Sequence, residues 1–419
     1  MNTFRALKSK NYRLYLGGQS ISLIGTWMQR TAVSWIVFSI THSTFMLGLT
    51  LFAGQFPTFV LSLFGGVISD RYNRYKVLLT TQIASLIQAS LLTLLILLNH
   101  YRIWEIICLS IILGIINAFD VPARQALVYD MVDNKEDLPN ALALNSSMVN
   151  FSRIIGPALA GLILEKFGDG ICFGINAFSF LPVIISLLNM KLPAYLPVKH
   201  VKNILGELKE GMVYLKNTPS ISLIILMLGL ISLFVLPFNT LIPVYAKVIF
   251  KGTASTFGVI DALVGLGAFS AAMFLASLKS GKNLRLILAI NTLIFGAGLV
   301  LFSYERNYIL ALIFAAITGF GMMSQITISN TIIQTSVTPS MRGRIISFYA
   351  MAFFGMMPIG SLLVGLISRW VGVPRTVLFE GFTALIIGLI HFYHIFKKSQ
   401  QLENHKAVLI LPTVTEQPI

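Results

Sequence analysis

The sequence predicts an all-α membrane protein in which twelve transmembrane helices form two pseudo-symmetric bundles of six. Composition is the first observation behind this: of 419 residues, 56% are hydrophobic and only 11% charged, where a soluble domain carries about a quarter charged residues. The second is a recurrence of apolar runs of about 20 residues, the length that crosses a bilayer. They fall at 12–39, 46–68, 77–98, 103–130, 139–166, 170–190, 219–249, 256–278, 284–304, 308–335, 344–369 and 374–397. The third is a long polar connection around Lys191 to Lys216. It separates an N-terminal bundle (1–190) from a C-terminal one (219–397), with a linker at 191–218 and a tail at 398–419.

Arg5, Lys8, Lys10 and Arg13 precede the first apolar run, which is too long for a signal h-region and is followed by no small-residue cleavage site. The first helix is therefore retained, with its start in the cytoplasm. With alternate loops assigned to opposite sides, about 21 Lys/Arg fall on the inner side and about 7 on the outer. This predicts a multi-pass protein of the cytoplasmic (inner) membrane with both termini cytoplasmic. The net charge of +15 sits in small groups beside apolar runs and not along one face, so it reports topology and predicts no nucleic-acid partner. Cys108 and Cys172 have no metal or redox spacing. No cofactor or metal is expected, and lipid is the surrounding partner of what we expect to be a monomer.

Between the second and third spans runs Gly66-Val67-Ile68-Ser69-Asp70-Arg71-Tyr72-Asn73-Arg74-Tyr75-Lys76, a short basic hairpin. Gly65 and Gly66 predict close packing of backbones, Asp70 stands where it could face a helix N-terminus, and Arg71, Arg74 and Lys76 hold the loop inside. Arg74 is placed to pair with Asp130 at the inner end of the fourth helix. The stretch resembles the loop motif of the major facilitator superfamily, glycine, three residues, aspartate, arginine and further basic residues. Asn73 stands where that family often has glycine, and Tyr75 where it often has a basic residue. In the second half Lys279-Ser280-Gly281-Lys282 occupies the corresponding place without the aspartate.

Further segments extend the resemblance over nearly the whole chain. Asn11-Tyr12-Arg13-Leu14, Gly25-Thr26-Trp27-Met28-Gln29, Ala118-Phe119-Asp120-Val121-Pro122-Ala123-Arg124-Gln125-Ala126, Leu138-Pro139-Asn140-Ala141, Arg153-Ile154-Ile155-Gly156-Pro157-Ala158, and Pro339 with Met341-Arg342-Gly343-Arg344 resemble the branch containing the enterobactin exporter and related drug efflux proteins. The resemblance implies the major facilitator fold and a secondary transporter that exports small siderophore-like or drug-like molecules by alternating access, with proton antiport. An uptake facilitator or a lysophospholipid-type lipid translocator is the alternative within that fold. Gly156, Pro157 and Gly161 resemble the fifth-helix motif of many antiporters, and Pro157 has a counterpart in Pro358. By the same resemblance Gly66, Asp70, Arg71, Arg74 and Asp130 form a gating motif.

A charged side chain at mid-membrane costs about 2.5–3.5 kcal/mol on insertion scales, so each needs a partner or a wet cavity. Arg30, Asp120, Arg124 and Arg153 stand out. Asn117, Asp120 and Arg124 share one face of the fourth helix, and the i to i+4 spacing allows Asp120 and Arg124 either to close an internal ion pair around Pro122 or to serve proton coupling. Arg153 lies on a stripe with Ser146, Asn150 and Pro157 and has no acid one turn away, so its partner must come from another helix, with Asp120 the obvious candidate, from water or from an anionic substrate. Arg30, on a stripe with Thr26 and Ser34, could attract an anion or hydrogen-bond a neighbouring helix. The substrate-cavity candidates are thus Arg30, Asn117, Asn150 and Arg153, and the proton-coupling candidates Asp120 and Arg124. With Asp261 expected near the outer end of the eighth helix, arginine outweighs acid, and the cavity should favour anionic or amphiphilic molecules.

Other features carry structural expectations. Pro237 and Pro243 predict kinks in the seventh span. Ile204, Leu208, Met212 and Leu215 recur at helical spacing in the linker, opposite Lys202, Lys209, Glu210 and Lys216, and predict an amphipathic helix on the inner surface. Glu380, His391 and His394 are conceivable proton sites, set aside because the last helix faces lipid or partner helices in this fold. An enzyme is not expected, since the spans carry no nucleophile with a base or metal cluster, and without a Walker loop ATP is not the energy source.

Overall fold

The structure, a computed structural model, describes residues 4–99, 102–192, 204–278 and 283–410. No strand occurs among them. The N-terminal half holds α1 (Lys10–Thr41), α2 (Thr44–Arg71), α3 (Arg74–Leu97), α4 (Ile103–Met131), α5 (Leu138–Phe167) and α6 (Asp169–Leu188). The linker helix α7 (Ile204–Asn217) follows. The second half holds α8 (Pro219–Ile249), α9 (Ala254–Ala276), α10 (Leu284–Ser303), α11 (Tyr308–Ser336), α12 (Pro339–Val371) and α13 (Val373–Ile410). Among the described residues, 11 helices are long and apolar enough to cross a membrane. Of the twelve predicted spans only α1 falls outside that set, because Lys10, Arg13, Arg30 and several polar side chains lower its hydropathy. It nevertheless packs inside the first half, against α5 and α6.

The two halves repeat one packing scheme. In the first, α4 lies on α2 and α3, and α3 on α6; in the second, α11 lies on α9 and α10, and α10 on α13. Their turns repeat as well. Gly168 between α5 and α6 has φ +84°, and Gly372 between α12 and α13 has φ +91°, a backbone region that L-residues rarely reach. His42, after α1, and Lys251, after α8, are both left-handed at φ 48° and 52°. Side-chain caps start α2, α3, α10 and α11: Asn73 Oδ1 accepts from the Tyr75 and Lys76 amides at 3.0 and 3.3 Å. That cap explains asparagine where the motif often has glycine.

Breaks in the helices fall where prolines or small residues predict them. Past Phe234, α8 tightens into a 3-10 segment at Leu236–Leu241, containing Pro237, and then widens into a π turn at Tyr245–Ile249 after Pro243. In α12 a π turn at Met351–Gly355 precedes Pro358. Proline removes a backbone donor, so the ladder around it must shift register.

Small residues set the closest crossings. A Cβ on Gly65 would collide with the Ala118 carbonyl, so Gly65 fixes the α2–α4 crossing. Gly66 has open space around it. The expected close packing therefore belongs to Gly65 alone, because one step along the helix turns the next residue by about 100° away from the neighbour.

α7 forms as predicted, but with a rotated face. Leu215 is buried while Met212 is 48% exposed, and Gly211 packs beneath the Phe348 ring of α12 instead. A 2.7 Å ion pair between Glu210 and Arg344 fastens the linker helix to the second half. The helix expected to end at 397 continues to Ile410, and the Lys279–Lys282 loop lies outside the described residues.

The halves meet along α5–α9 and α2–α12. Contacts concentrate at the ends of these helices remote from the linker: Gly161 against Gly258, Gly48 against Gly365, and Thr44 Oγ1 donating to the Gly365 carbonyl at 2.9 Å. Trp35 of α1 stacks on Phe257 of α9 with centroids 6.3 Å apart, and Thr253 donates to Glu165 at 2.8 Å. Nothing comparable joins the halves at the linker-side ends among the described residues. The central cavity therefore opens toward the face that carries the linker and the N-terminus.

Candidate functional site in the central cavity

Near mid-height, where the two halves face one another, the structure gathers Trp27, Arg30 and Thr31 of α1, Arg153 of α5, Asp261 of α9 and Met322 of α11. The motif of α5 builds this place. Gly156 lets α5 approach the Trp27 Cβ and the Ile24 and Met28 backbone, with room for no side chain. Three residues earlier, Arg153 is thereby carried over the face of the indole, its guanidinium carbon 5.8 Å from the ring centroid. Arg30 covers the same ring from its own helix at 5.3 Å. Across the bundle, Gly265 packs against the Arg153 carbonyl, and Gly161 and Gly258 let α5 and α9 touch, which draws Asp261 toward the arginines.

Asp261 lies within electrostatic reach of both Arg30 and Arg153, but neither guanidinium closes an ion pair with it at 4.0 Å or less. Its one hydrogen bond among the described residues comes from Thr31 Oγ1, 3.4 Å from Oδ2. Arg153 makes a long contact of 4.0 Å to the Met322 sulfur. Arg30 is surrounded by protein yet exposed, and Arg153 and Asp261 are half-buried. These three charged side chains thus keep accessible surface although protein surrounds them.

The partner expected for Arg153 is a different acid. Asp120 is buried against α3, where its Oδ1 accepts from Thr81 Oγ1 at 2.9 Å and Gln82 Nε2 at 2.7 Å, while Oδ2 lies 3.3 Å from Arg124 Nε. Three partners satisfy the carboxylate inside the first half, and its direction is fixed by the α3–α4 crossing, so it cannot also serve Arg153. Of the predicted cavity residues, Arg30 and Arg153 are brought together. Asn150 instead donates to the Ser146 carbonyl of its own helix at 2.9 Å, and Asn117 makes no hydrogen bond to any of the cluster among the described residues.

Asp261 itself was expected at the outer end of its helix, as little compensation. It lies two turns inside α9, whose first residue is Ala254. The signal was present in the sequence, a lone acid in Gly258-Val259-Ile260-Asp261-Ala262-Leu263. Trp27, Thr31 and Met322 carried no comparable sign, since aromatic and methionine side chains on membrane helices mostly fill space.

At the loop, Arg74 Nη1 stands 3.5 Å from Asp130 Oδ2. Arg71 is exposed, and the Asp70 side chain lies outside the described residues. Far from the cavity, Glu380 and His391 of α13 are 3% and 5% exposed. These two face the interior of the second half, not lipid, because Gly296 and Gly381 bring α10 and α13 into direct backbone contact.

Comparison with known proteins gives concordant matches. The family model described as transmembrane secretion effector matches residues 1–414. The chain is similar to the staphyloferrin A transporter of Staphylococcus aureus, with 26% identity over 94% of this chain and 99% of the relative. It is 22% identical to macrolide efflux protein A of Streptococcus pyogenes, over 93% and 97% of the two chains, and 27% identical to the enterobactin exporter EntS of Shigella boydii, over 90% of each. Among solved structures, a bacterial homologue of the human lysosomal transporter Spinster, inward-facing and unoccupied, superposes with a TM-score of 0.67 at 13% identity, over 91% of this chain and 96% of that one. The nucleoside transporter NupG superposes with 0.72 at 12% identity, over 92% and 99%.

Proposed function

This chain belongs to the transmembrane secretion effector family, transporters of the major facilitator type, and on that footing we propose that it exports small organic anions from the cytoplasm by alternating access. The observation that carries the proposal is the pair of arginines on one tryptophan, facing a single acid across the interface of the halves. A low-dielectric wall strengthens the field of such an unbalanced cluster. Flat or apolar anions suit it best, because the indole and the Met322 sulfur supply an apolar surface between the charges. Siderophore-like and acidic drug-like molecules have that character, and the names of the relatives support it.

With positive charge predominating on the face where the cavity opens, that face is the cytoplasmic one, both termini lie there, and the conformation is inward-facing. The Arg74–Asp130 contact at the foot of α3 and α4 supports a gating role for the basic loop. Because the site lies between two halves of one chain, a monomer suffices. The proton gradient is the proposed energy source. Any proton exchanged at the cavity has Asp261 as its carrier, since Asp120 already holds three partners.

Comparing small molecules in culture supernatants with and without the protein tests export. An extracellular anion that disappears with the protein, and does not return with Arg153→Gln, is the expected result. A compound that instead accumulates outside in its absence would indicate uptake and sink the proposal.

A further inference from the structure

Two fixed cations and one acid meet in the cavity, and the acid is held apart from both. Asp261 sits on the opposite half from Arg30 and Arg153, within their field but beyond ion-pair distance, with a weak bond from Thr31 as its only hydrogen bond among the described residues. All three side chains keep accessible surface in the middle of the bundle. An organic anion bound between the arginines would therefore lie beside this carboxylate, and two anions that share one pair of cations compete.

We propose that Asp261 is the transporter's internal counter-anion: it competes with the cargo for Arg30 and Arg153, so the cavity holds an organic anion more tightly when this carboxyl is protonated than when it is ionised. The inference deepens, and rests on, the reading of the cavity as an anion-transport site. It names a residue on α9 as the element that ends each cargo's stay. When the halves rearrange, the carboxylate that was the arginines' distant neighbour becomes the partner that replaces the cargo, and the emptied site does not keep two bare cations.

Other groups do not supply the same behaviour. From α1 the charged group facing Asp261 is Arg30, and from α5 it is Arg153. α11 has no ionisable side chain but Tyr308 at its outer end. On α8, Lys247 lies over the Trp35 ring at 5.4 Å and Tyr245 donates to the Ser303 carbonyl at 2.7 Å. Glu165 of α5 is engaged by Thr253 at the outer end of α9. A pH effect on anion binding in the middle of the cavity thus points to Asp261.

The test uses the purified full chain in lipid nanodiscs and naphthalene-1-sulfonate, an anion that keeps its charge over the whole range, with trimethyl(1-naphthyl)ammonium as the matched cation. Sulfonate affinity should rise at least about fivefold, the lower end of typical site-to-site coupling, between pH 8 and pH 5. In Asp261→Asn it should be as tight at both pH values as in the unmodified protein at the lower one, and the cation should show the reverse trend in the unmodified protein only. Asp261→Glu should keep the pH dependence, so the test survives if Asp261→Asn does not accumulate. Arg30→Gln and Arg153→Gln should each bind the sulfonate at least about tenfold more weakly. Sulfonate binding by the unmodified protein that ignores pH, or a pH dependence that persists in Asp261→Asn, overturns the competition while leaving an anion site standing. No sulfonate binding at any pH overturns the anion-cavity reading together with it.

Discussion

Arg30 and Arg153 share one aromatic ring, their guanidinium carbons 5.3 and 5.8 Å from the centre of the Trp27 indole. Two like charges so placed repel, and the electron-rich face of the ring offsets part of that repulsion by about 0.5–2 kcal/mol per contact. Trp27 is also where Gly156 seats α5 on α1. Replacing it with leucine keeps an apolar body under both arginines and removes the quadrupole. We expect Trp27→Leu to accumulate normally and to bind naphthalene-1-sulfonate about 3- to 10-fold more weakly. Equal losses for the matched cation would mean that the ring acts by shape alone.

Asp120 offers the contrasting case of a mid-membrane charge whose partners are complete. Thr81, Gln82 and Arg124 all converge on it at 2.7 to 3.3 Å. Asp120→Asn leaves the half-buried Arg124 without its counter-charge, which should cost up to about 3 kcal/mol of stability, and Asp120→Asn with Arg124→Gln should recover a good part of it. Thermal unfolding of the purified protein reads this out. An unshifted midpoint in Asp120→Asn, with export lost, would make Asp120 a coupling residue and not a structural one.

How far the site was legible depended on whether chemistry or placement decided it. Helix number, the division into halves and the candidate charges follow from apolar runs and from the cost of ions in hydrocarbon, which sequence displays directly. Which charges meet does not. Asp120 and Arg153 are only 33 positions apart in the chain, yet the α3–α4 crossing turns Asp120 away. Asp261 lies 108 positions beyond Arg153 and reaches the same cavity because Gly161 and Gly258 let α5 and α9 touch. The rotated face of α7 has the same origin, for the pattern displays apolar spacing but not the Phe348 ring that fills the notch at Gly211. Glu380 was noticed in the sequence and set aside, since its burial depends on the contact of the last helix with α10.

The α5–α9 contact also holds the halves together at the end remote from the linker, the outer one in the proposed orientation. Gly161 faces the Ala254 carbonyl and the Gly258 Cα, with no room for a side chain. Gly161→Val should therefore wedge the halves apart at that end and shift the population toward the outward-open state, by about 1–3 kcal/mol for an overpacked contact. Labelling of a cysteine introduced at Ser255, by an impermeant maleimide added from outside, measures the opening. Faster labelling in Gly161→Val than in the parent is expected. Unchanged labelling would show that the crossing relaxes without opening the cavity.

For the anionic cargo proposed above, the electrical part of the proton gradient is the expected main driving force. Moving one elementary charge across the membrane is worth about 2.3 kcal/mol per 100 mV, and an inside-negative potential pushes anions outward. If Asp261 competes by position and stays ionised through the cycle, the anion's charge is the one that crosses, so the potential drives export and the pH difference contributes little. The antiport expected from the sequence moves a proton inward for each anion that leaves, which adds the pH difference to the electrical term. Right-side-out vesicles loaded with naphthalene-1-sulfonate separate the two. Clamping the potential to zero with valinomycin and matched potassium should slow export by about tenfold, within the roughly 50-fold limit that one charge at 100 mV sets. Nigericin, which dissipates the pH difference and spares the potential, should leave it nearly unchanged. Export slowed by nigericin as well as by valinomycin would establish proton exchange and remove the mechanism in which the anion crosses alone.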